Sequence, residues 1–93
     1  MIHQYAESIH PAGMGGIRRV YRFENGYAAS VVNAPFSYGG REGLWELAVM
    51  DGNGINCDTP ITDKVIGRLS DIELDEVLDR IAALPMAQYP YKK

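Results

Sequence analysis

Apolar and polar positions alternate with a period of two through the middle of the chain and recur at helical spacing near its end. Ile17-Arg-Arg-Val-Tyr-Arg-Phe-Glu24 and Tyr27-Ala-Ala-Ser-Val-Val32 are β-type runs flanking Asn25-Gly26. That dipeptide best tolerates the positive φ angles of a tight hairpin turn. Taken as a two-residue loop, it sets Phe23 against Ala28, Arg22 against Ala29, Tyr21 against Ser30 and Val20 against Val31. Ile17, Tyr21, Phe23, Ala28 and Val32 then face inward, while Arg18, Val20, Arg22, Glu24, Tyr27 and Val31 face solvent. Leu44 to Met50 is the most apolar run and reads as a central strand, with Trp45, Leu47 and Val49 on one face. Asp51-Gly-Asn-Gly54 turns the chain into Ile55-Asn-Cys-Asp58, a short edge strand.

The helical signal begins at Ser70. Ser70 and Glu73 have capping-box spacing, and Leu69 and Leu74 have the spacing of a hydrophobic staple. Leu74, Val77, Leu78 and Ile81 form the buried stripe, and Pro85 ends the helix. Lys64 to Leu69 reads as one helical turn. Residues 1–16 fit a helical face and an alternating strand equally, residues 34–43 form a turn-rich connection, and the polar tail 86–93 reads as mobile. The predicted fold is a single α+β domain: a four-stranded antiparallel β-meander with one C-terminal amphipathic helix packed on one face.

Composition narrows the setting. The 93 residues carry 9 Lys plus Arg against 12 Asp plus Glu, and a single cysteine. Cys57 cannot form an internal disulfide or supply a zinc framework, which suits a reducing cytoplasm. No apolar run approaches the roughly 18 residues that cross a bilayer, and the first residues lack a secretory pattern. A cytoplasmic protein with no membrane association is expected.

The catalytic inventory is thin. Gly13-Met-Gly-Gly16 is followed by a strand where a phosphate-binding loop needs a helix. Asp51-Gly-Asn-Gly54 opens like a calcium loop, but Thr62 stands where the closing carboxylate belongs. Cys57 has His3 and His10 as its available bases, both distant in sequence. Those histidines show no metal-ligand spacing, and the carboxylates Asp71, Asp75 and Asp79, four apart along one helix face, read as a solvated surface. No enzyme activity, cofactor or metal is expected.

Charge is distributed unevenly. Residues 1–41 hold Arg18, Arg19, Arg22 and Arg41 against Glu7 and Glu24, a net +2, whereas residues 42–93 hold five bases against ten acids, a net −5. Such asymmetry steers charged partners, and aromatic loop residues can anchor them. Arg18, Arg22, Phe36, Tyr38 and Arg41 are the candidate partner-binding residues. The alternative is single-stranded nucleic acid on the basic and aromatic hairpin face, though the spacing of an RNA-recognition sheet is missing. A self-associating structural protein is the third reading.

Asn25-Gly-Tyr-Ala-Ala-Ser-Val-Val32, Pro35-Phe-Ser-Tyr-Gly-Gly40, Gly43-Leu-Trp-Glu-Leu-Ala-Val49 and Cys57-Asp-Thr-Pro-Ile-Thr-Asp-Lys-Val-Ile-Gly67 resemble a family of small uncharacterised proteins of tailed phages and prophages. The resemblance spans about residues 17–84 and rests on segment order, with no catalytic motif to transfer. It implies an accessory protein acting in the host cytoplasm by binding a host protein, an analogy of context and not of chemistry.

Overall fold

A computed structural model describes residues 3–9, 16–34, 42–55 and 65–91. Strands β1 (Tyr5–Ile9), β2 (Ile17–Arg22), β3 (Ala28–Asn33), β4 (Trp45–Asp51), β5 (Gly54–Ile55) and β6 (Val65–Leu69) precede helix α1 (Asp71–Ala82). The α+β class holds: the described residues form one antiparallel sheet and one C-terminal helix. Among them the sheet has six strands, not the expected four. Its first four run in chain order, and β4 is central because β5 and β6 share its second edge.

Both added strands have local causes. Tyr5, Glu7 and Ile9 realise the alternating option in the N-terminal segment, pairing with Tyr21, Arg19 and Ile17. Val65 to Leu69, read as a helical turn, pairs with β4 instead. Its alternation is interrupted by a bulge: Trp45 opposes Leu69 but Leu47 opposes Ile66. Arg68 sits there at φ 57°, a left-handed conformation unusual for a residue with a side chain.

The hairpin register differs by one residue from the sequence expectation. The amide of Phe23 donates to the Tyr27 carbonyl at 2.9 Å and that of Gly26 to the Phe23 carbonyl at 3.1 Å. Gly26 has φ +88°. This is a three-residue loop, a turn closed by a left-handed glycine, and not a two-residue one. Arg22 therefore opposes Ala28, Tyr21 opposes Ala29 and Arg19 opposes Val31. A slip of one flips every β3 side chain relative to β2. Val31, expected at the surface, is fully buried, and Ala28 and Val32 share a face with Arg22 and Arg18.

Helix α1 covers one face. Leu74, Val77, Leu78 and Ile81 pack with Tyr21, Ala29, Val31, Trp45, Leu47, Val49 and Leu69. Both halves of the capping box form at its start: Ser70 Oγ accepts the Glu73 amide, and Glu73 Oε1 accepts the Ser70 amide. The Ser70 amide holds the Glu73 carboxyl below its ordinary range. Leu69 and Leu74, the predicted staple, are both buried. The described part of the tail, residues 86–91, whose composition suggested mobility, makes three backbone hydrogen bonds to the two turns: the Ala87 and Tyr91 amides donate to the Asn25 and Gly26 carbonyls, and the Gly52 amide donates to the Tyr89 carbonyl. Among the described residues no helix is long and apolar enough to cross a membrane.

Candidate functional site

The register divides the predicted partner-binding residues by face. Ladder partners in an antiparallel sheet point the same way, so rows across the sheet can be followed strand by strand. Ala6, Val20, Ser30, Ala48 and Val65 form one row on the face opposite α1. Arg18, Val32 and Glu46 form the row on one side of it, and Arg22, Ala28, Met50 and Ile55 the row on the other. Arg18 and Arg22 thus bracket Val20 on the helix-free face. Arg18 Nε donates to Ser30 Oγ at 3.3 Å, and the Arg22 guanidinium stands 5.6 Å from the Tyr91 ring centre. Val65 and Ile55 are exposed there. Gln4, Tyr5, Ala6, Val20 and Arg22 line a shallow depression of ≈ 270 Å³ at the β1–β2 edge. Phe36, Tyr38 and Arg41 lie outside the described residues, as do His10 and Cys57.

Arg19 points the other way, onto the face that carries α1. Its guanidinium lies 4.4 Å from the ring centres of both Tyr5 and Trp45, a cation held between two aromatic rings. Its Nε donates to Glu7 Oε1 at 3.0 Å, directly across the β1–β2 ladder. Partial burial opposes the charge of Arg19, but the hydrogen bonds to Glu7 and Tyr21 outweigh it and raise the pKa. Burial also pushes the Tyr21 hydroxyl up.

Helix α1 lies against β4 and β6, which leaves a cleft of ≈ 260 Å³ toward β1 and β2, lined by His3, Arg19, Tyr21, Asp71, Asp75 and the apolar flank of the helix. The carboxylate row read as a solvated surface borders this cleft. Asp71 Oδ1 accepts the indole N–H of the buried Trp45 at 2.9 Å. Asp79 Oδ1 lies 2.6 Å from His3 Nε2, and this hydrogen bond holds the Asp79 carboxyl below its ordinary range. The His3 side chain is only 9% exposed and meets the Phe23 ring edge-on at 5.5 Å. One ligand atom from each of His3, Asp75 and Asp79 falls within 4.8 Å of the others.

Sequence reasoning noted the carboxylate spacing and the histidine separately. Their meeting across 76 positions depends on where the helix packs, which no local spacing encodes. No protein-family model, curated protein or solved structure matches the chain.

Proposed function

We propose that this chain is a non-enzymatic binding protein that docks a protein partner on the helix-free face of its sheet. The observation that carries the reading is the row Ala6, Val20, Ser30, Ala48 and Val65 with Arg18 and Arg22 on its two sides. The row is apolar apart from Ser30, with Ala48 buried and Ala6 and Val65 exposed. The arginines stand on the β2 side of its flanks, with Glu46 across the sheet from Arg18. A mostly apolar strip beside two arginines suits a partner whose contact surface is apolar in the middle and acidic where it meets β2. The resemblance to phage accessory proteins supports a host protein as that partner, and a cytoplasmic setting belongs to the same proposal.

A crosslinker installed at Val20 tests this. Capture of one protein at Val20 is expected, with none from the same group at Ile72 on the exposed side of the helix. Arg18→Glu with Arg22→Glu should weaken that capture by about tenfold or more, the effect of placing like charges across an interface, while the melting temperature stays within a few degrees. Equal capture from both positions, or capture untouched by the charge reversal, would overturn the reading. Sedimentation over a range of concentrations identifies the case in which the partner is a second copy. Single-stranded nucleic acid needs several aromatic rings beside the arginines; Tyr91 stands beside Arg22, but Tyr21, Phe23 and Tyr27 pack with the helix-covered core, which favours protein as the partner.

A further inference from the structure

We propose that His3, Asp75 and Asp79 bind a divalent first-row transition ion of the Zn²⁺ class, clamping the segment before β1 to the middle of α1. Among the described residues this is the group whose imidazole and carboxylate donors converge, within 4.8 Å of one another. Donors bound at about 2.0–2.2 Å surround such an ion at separations of roughly 3 to 3.5 Å. The His3 and Asp79 atoms are closer than that, at 2.6 Å, so their hydrogen bond has to open by several tenths of an ångström to admit the ion, and Asp75 lies within 4.8 Å of both. It stands one helical turn from Asp79, on the same face.

Two features favour an ion over an ordinary ion pair. The His3 ring is fixed before any ligand arrives, being nearly buried and held edge-on by Phe23. The adjoining ≈ 260 Å³ cleft leaves room for water to complete the coordination. One imidazole nitrogen with two carboxylate oxygens suits a borderline ion, whereas Ca²⁺ takes six to eight oxygens. Two ionised carboxylates balance the ion's charge, and a proton on His3 Nε2 leaves to solvent as the metal–nitrogen bond forms. Two positive groups oppose the ion: Arg19 lines the same cleft but is engaged by Glu7 and by the Tyr5 and Trp45 rings, and the N-terminal ammonium hydrogen-bonds Asp79, a contact the ion has to displace.

The test is calorimetric titration of the untagged full chain, carrying Cys57→Ser to remove the thiol, with Zn²⁺, Mn²⁺ and Ca²⁺ separately at about pH 7. Saturable Zn²⁺ binding is expected, with Ca²⁺ weaker by about tenfold or more. Asp75→Asn and His3→Gln should each weaken Zn²⁺ by at least about tenfold, a loss that removal of even an outer-shell partner can bring. His10→Gln should leave it unchanged. Asp75→Asn decides the matter if His3→Gln loosens the N-terminal segment, because it keeps the His3–Asp79 pair; circular dichroism confirms that it folds. Absence of saturable Zn²⁺ binding, Zn²⁺ affinity unmoved by Asp75→Asn, or equal affinity for Ca²⁺ and Zn²⁺ would each overturn the proposal.

Discussion

Asn25 illustrates how one residue answers two structural demands. Its side-chain oxygen accepts the Tyr27 amide at 3.1 Å inside the β2–β3 turn. Its side-chain nitrogen donates to the carbonyl of Ile81 at 2.8 Å, in the last turn of the helix, and to that of Leu84 at 3.1 Å, just beyond it. The last carbonyls of a helix have no partner within it, and a buried turn residue supplies one here. Asn25 is 92% buried by the same packing, since only 8% of it is exposed. Asn25→Ala should lower stability by about 1–3 kcal/mol, because buried carbonyls lose their donor; urea denaturation measures it. Asn25→Asp should be at least as damaging, since it removes the donor and adds negative charge at the helix C-terminus. The turn tendency of Asn-Gly was legible in the sequence. The capping role was not, because its partners lie 56 and 59 positions away.

At the scale of elements, α1 was the most legible because its signals are local: a cap, an acidic first turn and a stripe repeating over one helical length. Ser70→Ala removes the acceptor for the Glu73 amide and should cost about 1 kcal/mol, read as a lower midpoint in chemical denaturation with unchanged slope. Strand β6 was obscured for an equally local reason. The bulge at Gly67 and Arg68 breaks its alternation, and the pairing that defines it comes from β4. Arg68 at φ 57° is the position where glycine is conformationally freer. Arg68→Gly should therefore be neutral or stabilising by up to about 1 kcal/mol, despite the loss of its exposed ion pair with Glu42 at 2.6 Å. A thermal melt beside the parent chain measures it; a clear loss of stability would show that Arg68 contributes more than its exposed ion pair. The hairpin between β2 and β3 lies between these cases. Its place was readable, but its register turned on whether the loop held two residues or three, and that single residue exchanged the faces of β3.

Across the whole molecule, the C-terminal segment ties together two turns that are far apart in sequence. Pro90 and Ala87 lie against Gly26, while the carbonyls of Tyr89 and Pro90 approach Gly52 so closely that a Cβ there would fall 2.5 Å from the Pro90 oxygen. Gly52→Ala must displace that backbone. It should speed hydrogen exchange at the Ala87 and Tyr91 amides and lower stability by about 1–3 kcal/mol, whereas exchange as slow as in the parent chain would mean that the tail contact is adaptable.

The helix, its cap, the central strand and the α+β class follow from the sequence by itself, because periodicity and capping act over a few neighbouring residues. Tertiary structure alone decided the hairpin register, the bulged sixth strand and the division of Arg18 and Arg22 from Arg19. It also decided the convergence of His3 with Asp75 and Asp79. Each of these depends on which distant backbone an element pairs with or packs against, and that choice minimises the free energy of the whole fold, so it cannot be read from any one segment.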